Sequence, residues 1–471
     1  MCEIEGGFAS GAAPRTPLGA NLYQYKYVTV SATGSWAGSP PRLCFLIANA
    51  SEQHLGITGD NNVSSLSAFR RLDRNVQLFL LTAGLTGMTV LGGIFGVLFN
   101  LFILRLGYGT EFVGLVNATG LLAFAAPALL AGWLGSRWGA RPTLILGLAI
   151  TAIGYGLLSL TDLLPSDLRS VWLLTTNVIG ALGSAIYIVN TGPFLSEMTQ
   201  PADRTHALSA QVAVWPLAGF IGSLIGGNMP GLLAPLLAVA PTDPATYRYT
   251  MLLAAVLVLP GIYALLQTRV QSPAQADQAI TQTPAPVGFI IIVALSIALQ
   301  VSAEGISMTF YNVYLDRALS VPTAQIGLLL AFARLAAVPS ALLTPTLISR
   351  WGTRRTYIIA SAGIALFVLP LALIPHWIAA EVGFLGLICM AAIGRSAMTT
   401  YQMDMVSPRW RSMMSASATM GVGLSWSGLA LAGGYAIGSV GYPVLFLTGA
   451  VCTILGILIY IFFVPATRPA A

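Results

Sequence analysis

The stretch GWLGSRWGARPT at 132–143 lies between two long apolar runs, and it returns as LISRWGTRRT at 347–356. Displacing the chain by 213 residues lays Ser136, Arg137, Trp138, Gly139, Arg141 and Thr143 on Ser349, Arg350, Trp351, Gly352, Arg354 and Thr356 without a gap, and Gly114 on Gly327. A displacement of 207 lays Glu197, Met198, Pro201 and Arg204 on Asp404, Met405, Pro408 and Arg411, then Gly226 and Gly227 on Gly433 and Gly434. An internal repeat on this scale means two copies of one structural plan.

What surrounds the repeat is apolar. The chain is 56% hydrophobic and 8% charged, against about 25% charged residues in a soluble domain. A helix that crosses a bilayer needs about 20 mostly apolar residues. Such runs follow one another from about residue 77, and twelve are expected: 77–104, 112–135, 143–161, 170–196, 207–232, 247–268, 287–312, 324–348, 356–376, 380–404, 412–438 and 441–464. The runs are apolar on every face, which favours helices over the alternating strands of a barrel. The expected fold is therefore an all-α integral membrane protein with two pseudo-symmetric six-helix bundles, 75–270 and 287–471.

The polar segment SPAQADQAITQTPAP at 272–286 reads as a linker within 271–286. Residues 1–74 are rich in Gly, Ser, Ala and Pro, and their apolar run LCFLIANA is too short to span. They are expected to be disordered, or to arise from a misassigned start codon upstream of FRRLDRN at 69–75.

The net charge of +6 comes with no basic stripe carrying interleaved aromatics, so nucleic acid is not an expected partner. Topology explains it better. The side holding Arg137, Arg141, Arg204, Arg350, Arg354 and Arg411 outweighs the side holding Arg105, Arg169, Arg248 and Arg317 by about three to one, which predicts both termini in the cytoplasm of a multi-pass cell-membrane protein. Four cysteines make neither a zinc spacing nor a disulfide pattern.

In the repeated loop, glycine suits a tight turn, and Pro142 suits the first turn of the third span, where a missing N–H costs nothing. Glu197 ends the fourth span on the same side, and Asp404 ends the tenth. Two equivalent clusters are expected: Arg137 and Arg141 with Glu197, and Arg350 and Arg354 with Asp404, acting as latches or as topology anchors alone.

An ionisable residue within a span is a functional candidate by default. Glu304, Arg334 and Arg395 qualify. Counting along each helix puts Glu304 and Arg334 both about 12–13 Å below the outer end, so an ion pair between them is expected. It would be a static brace, or a site where Glu304 exchanges a proton or competes with substrate for Arg334. Gln300, Glu304, Ser307 and Tyr311 form a polar stripe at helical spacing, as do Arg395, Thr399 and Gln402. Stripes of this kind must face protein or water. Tyr187 and Asn190 on the fourth span are the candidates from the other half, with interhelical hydrogen bonding as the plainer explanation.

Twelve spans, two halves and a cationic loop repeated between spans 2–3 and 8–9 resemble the major facilitator superfamily of secondary transporters. Of that family's loop pattern, roughly G-x-L-a-D-R-x-G-R-R, the first copy keeps Gly132, Leu134, Arg137, Gly139 and Arg141, with Ser136 at the acidic position and Ala140 at a basic one. The second copy keeps Leu347, Arg350, Gly352, Arg354 and Arg355, with Pro345 and Ser349 at the glycine and acidic positions. The resemblance implies alternating access, with spans 1, 4, 7 and 10 lining a midplane cavity and the loops acting as a cytoplasmic gate. GSLIGGNM at 222–229 is similar to the family's antiporter motif, G-P-x-x-G-G, with Ser223 in place of proline. Close helix packing, with Gly433 and Gly434 recurring in the eleventh span, is the favoured explanation of these glycines.

No HExxH, P-loop or acidic pair within a span is present, so neither an enzyme, a cofactor nor a metal is expected. The expected function is secondary active transport of a small organic solute, with proton-coupled efflux favoured. A proton-coupled uptake symporter or facilitator, or a non-transporting sensor on the same frame, are the alternatives. The expected partners are a small-molecule substrate, protons and the lipid bilayer, and the chain is expected to act as a monomer.

Overall fold

The computed structural model describes residues 73–90, 92–199, 204–268, 287–405 and 411–463. The expected linker, and all but the end of the expected tail, lie outside the described residues.

Nearly every described residue is helical. Among them, ten helices are long and apolar enough to cross a membrane, and an eleventh span is a pair bent by 42°. One of the ten runs 47 residues, Ser417–Phe463, about 70 Å if straight and more than twice a hydrocarbon core of about 30 Å. It is broken at Gly441, whose φ of 79° is non-helical, so twelve spans result.

In chain order these are α1 (Arg74–Arg105), α2 (Thr110–Ala125 and Leu130–Trp138), α3 (Ala140–Ser159), α4 (Ser166–Met198), α5 (Arg204–Leu237), α6 (Pro244–Gln267), α7 (Val287–Gln300 and Ser302–Arg317), α8 (Thr323–Trp351), α9 (Thr353–Leu373), α10 (Trp377–Met405), α11 (411–440) and α12 (442–463). The bend in α2 falls at Pro127, whose ring cannot continue the helical hydrogen-bond ladder.

Two faces follow. The repeated loops lie on the motif face, and each is a single residue: Gly139 (φ 91°) joins α2 to α3, and Gly352 (φ 80°) joins α8 to α9. Only glycine takes this conformation without strain. Thr143 Oγ1 donates to the Gly139 carbonyl at 2.8 Å and Thr356 Oγ1 to the Gly352 carbonyl at 2.9 Å. Arg105, Asp162 and Ser320 lie on the opposite, far face.

The two bundles meet along two equivalent seams, α2 against α11 and α5 against α8. The repeated glycines sit in them. A Cβ on Gly114 would lie 2.9 Å from Gly434 Cα, and one on Gly227 would lie 2.8 Å from Gly327 Cα.

The apolar core is distributed unevenly. In the far half one cluster crosses both bundles, from Phe102, Val113 and Met251 to Phe310, Leu330 and Phe446. In the motif half the clusters are separate: Phe79, Leu144, Phe194 and Leu265 belong to the first bundle, and Val293, Tyr357, Tyr401 and Tyr460 to the second.

Spans α1 and α7, equivalent under the repeat, are both interrupted at mid-length. α1 breaks between Thr89 and Ile94, where Gly92 has φ 101°. α7 breaks at Val301.

Candidate functional site

The interruption of α7 exposes backbone groups that an apolar interior would penalise. Side chains of α11 and α12 satisfy them. Trp426 Nε1 donates to the Val301 carbonyl at 3.1 Å, Ser425 Oγ to the Ala298 carbonyl at 2.6 Å and Thr453 Oγ1 to the Gln300 carbonyl at 3.1 Å, while Thr453 Oγ1 accepts from the Ala303 N–H. The break places Glu304 in the first turn of the outer piece of α7, where the helix dipole favours its negative charge.

Glu304 forms an ion pair with Arg395 of α10. The side chains differ sharply in environment: Glu304 is 2% exposed and Arg395 is 55% exposed. Arg395 stands ten residues from the motif end of its helix.

This pairing corrects the expected one between Glu304 and Arg334. Their depths do match, but their directions do not. Glu304 looks from α7 toward α10, whereas α8 packs along α5 and carries Arg334 toward the break in α1: a Cβ on Gly92 would lie 2.6 Å from Arg334 Cζ. Depth follows from counting residues, while direction depends on which helices become neighbours.

The other candidates disperse. Gln300 is buried, donates to Ser296 Oγ at 2.9 Å and lies against Gly456 of α12. Tyr311 is buried, stacks on Phe384 with centroids 3.8 Å apart, and donates to Glu381 Oε2 at 2.6 Å. Tyr187 is fully buried in the apolar cluster of the first bundle. Asn190 donates to the Ala131 carbonyl at 3.0 Å, tying α4 to α2, and also to Ile186. The side chains of Thr399 and Gln402 lie outside the described residues.

The motif face also differs from expectation. Arg141 donates through Nε to the Leu265 carbonyl at 3.1 Å and through Nη2 to that of Leu266. Arg354 donates to the Ile461 carbonyl at 2.9 Å. Each loop is thus fastened to the C-terminal carbonyls of the last span of its own bundle, a favourable place for a cation. Arg137 lies over the Trp133 ring at 5.2 Å. Glu197 makes no ion pair among the described residues, so the cluster of Arg137 and Arg141 with Glu197 does not form. Gly132 packs beside Val189 of α4, and Arg350 is exposed. The side chains of Arg204, Asp404 and Arg411 lie outside the described residues.

Two groups escaped the sequence reading. Glu381 lies one turn inside α10, but the expected tenth span began at 380, which put it at the membrane edge and left Glu304 as the sole acid of the core. The second group closes the far side. Asn100 of α1 donates to the Thr309 carbonyl at 2.7 Å and to Asn312 Oδ1 at 3.2 Å, while its own Oδ1 accepts from Asn117 of α2 at 2.8 Å. Asn312 Nδ2 in turn donates to the Val97 carbonyl at 3.2 Å. An asparagine inside the apolar run LFNLF at 98–102 was the available signal. Further out, Arg105 pairs with Asp316, Arg317 donates to the Leu104 carbonyl, and Tyr247 bonds Thr323 at 2.9 Å.

At the far-face end of the first bundle, Arg248 pairs with Asp162, whose carboxyl is pushed up from its usual range by burial, against the pull of Arg248. No three His, Cys, Asp or Glu side chains converge as metal ligands among the described residues.

The family model described as Major Facilitator Superfamily matches residues 80–394 and 293–471. The Multidrug resistance protein MdtH of Proteus mirabilis is 27% identical over 147 residues, which is 30% of this chain and 35% of that protein. The chain thus spans about a third of that relative's length. The protein of the same name from Photorhabdus laumondii is 26% identical over 355 residues, 74% of this chain and 81% of the relative. Among solved structures, the inward open conformation of the xylose transporter XylE from E. coli aligns with a TM-score of 0.65, covering 83% of this chain and 96% of that one at 15% identity, a likeness of fold alone.

Proposed function

Because the chain belongs to the major facilitator superfamily, we propose that it is a secondary transporter that exports a small organic solute in exchange for protons, with the motif face and both termini in the cytoplasm. The observation that carries this reading is the ion pair between buried Glu304 and exposed Arg395 at the break of α7. Protonating Glu304 would remove its charge and release Arg395 from the pair. Proton occupancy and the arrangement of α7 against α10 are thereby linked.

The distribution of contacts supports a state open toward the motif face. The far half holds one core and the Asn100, Asn117 and Asn312 network across the bundles, while the motif half holds two separate cores. Rocking 75–270 against 287–464 would break the network and join the separate cores, which is alternating access. The name of the MdtH relatives supports export of organic compounds.

The test is flux in vesicles reconstituted with the whole chain, with and without a pH gradient. Export driven by the gradient in the wild type, and lost in Glu304→Gln, is the expected result. Transport by Glu304→Gln with unchanged rate and pH dependence would defeat the reading. Accumulation in the direction of proton flow would favour an uptake symporter instead.

A further inference from the structure

An arginine within a membrane span without a counter-charge is costly, and half-buried Arg334 is such a residue. Its Nε is buried with no hydrogen-bond partner, and it forms no ion pair among the described residues. The head of the side chain rests on glycines of two other spans. A Cβ on Gly92 would overlap the guanidinium, one on Gly96 would lie 3.2 Å from Nη2, and one on Gly219 of α5 would lie 3.1 Å from Cδ. Three glycines pack against a charged group that no acidic side chain neutralises among the described residues.

A helix N-terminus lies beside the guanidinium. The twelve-residue outer piece of α1 begins at Ile94 behind Gly93, and no side chain caps it. Its first N–H groups and the positive end of its dipole therefore lie at the same break. One turn before Gly219 on α5, about 6 Å along the helix, Trp215 carries a second buried donor without a partner, Nε1. Its ring packs on α1 just before the break, where a Cβ on Gly87 would lie 3.3 Å from Trp215 Cδ1. A cation, an uncapped helix N-terminus and an unanswered indole N–H are gathered here with no acidic side chain paired to them among the described residues, and the Gly87 and Met88 carbonyls at the end of the inner α1 piece are the neutral acceptors nearby.

The mid-span charges point the same way. Glu304 answers Arg395, which leaves Arg334 as a surplus positive charge at the level of both helix breaks. From this arrangement we infer that the break of α1 is a binding site for one negative charge, the carboxylate of an organic anion. Arg334 supplies the fork that a planar carboxylate accepts, the N-terminus of the outer α1 piece supplies N–H groups, and Trp215 supplies a flat apolar surface for the body of the molecule. Describing this anion as cargo rests on the transport reading above; the site itself does not.

The test uses the purified whole chain and three carboxylates, acetate, benzoate and 1-naphthoate, each compared with its primary amide and the corresponding amine at constant ionic strength. A ligand that binds the native state raises its melting temperature. A carboxylate, and not its amide or amine, is expected to raise it, and Arg334→Gln is expected to abolish the shift. Unliganded Arg334→Gln is expected to melt no lower than wild type, because an unpaired buried charge has been removed; a structural brace would instead make it melt lower. If Arg334→Gln fails to fold, Arg334→Lys is expected to bind the carboxylate about tenfold or more weakly, having lost a charge-assisted hydrogen bond.

No carboxylate shift, an equal shift with the amides or amines, or a full shift in either variant would overturn the site. Glu304→Gln separates the two readings. It is expected to keep the carboxylate shift while losing proton-driven flux, and retention of proton-driven flux there counts against the transport mechanism alone.

Discussion

Gly227 of α5 and Gly327 of α8 lie back to back, so that a Cβ on Gly227 would stand 2.8 Å from the Cα of Gly327 and 3.1 Å from the Ala324 carbonyl. Gly114 and Gly434 make the equivalent approach between α2 and α11. Backbone this close leaves no space for a methyl group. Gly227→Ala or Gly327→Ala should therefore wedge the far side open. The expected outcome is a several-fold faster alkylation of a cysteine introduced at Thr309, which is buried in α7 beside Asn100 of α1; an unchanged rate would show that the seam tolerates the methyl.

The asparagine network should show energetic coupling. Asn100 and Asn312 bond each other as well as backbone carbonyls on the opposite bundle. Single alanine substitutions should each cost about 1–3 kcal/mol by stranding buried groups. The double substitution should cost less than their sum, with a coupling energy of about 0.5–3 kcal/mol from thermal or denaturant unfolding. Strict additivity would mean that the two side chains act independently.

Removing either partner of the Glu304 and Arg395 pair should not have equal effects. Arg395→Gln leaves a dry carboxylate uncompensated and should cost about 3 kcal/mol or more at neutral pH. Glu304→Gln leaves an arginine that is 55% exposed and able to hydrate, so its cost should stay within about 1 kcal/mol. Comparing the melting temperatures of the two variants checks this order, and equal losses would argue against that difference in burial.

On the motif face, Arg141→Ala and Arg354→Ala should each cost about 1 kcal/mol, because each removes a cation from the C-terminal carbonyls of a helix. Glu197→Gln should change stability by no more than about 0.5 kcal/mol. A loss at Glu197 as large as that at Arg141 would restore the charge cluster expected from sequence.

The reach of the sequence had a physical limit. The repeated loop and the paired glycines named the two bundles because a one-residue turn and a backbone contact each demand glycine, and glycine is visible in a sequence. Helix depth was also legible, since rise per residue is constant: Glu304, Arg334 and the break of α1 do share a level. Azimuth was not. Which face of α8 meets α5 depends on the packing of all twelve spans, so Arg334 was assigned the wrong partner. Glu381 was missed through a boundary placed three residues late, and Asn100 because a single amide in an apolar run carries no partner with it.

The single-residue turns at Gly139 and Gly352 have a mechanical consequence. With no slack between them, α2 and α3 cannot slide or splay at the motif face, and neither can α8 and α9. Each pair must travel together at this face, its root pinned by Arg141 or Arg354 to the last helix of the same bundle. Since α2 and α8 also form the seams with the opposite bundle, a tilt at a seam is passed on to α9 along α8, and to α3 through the bend of α2 at Pro127. Motion of those two peripheral helices against the lipid would then report the state of the central cavity.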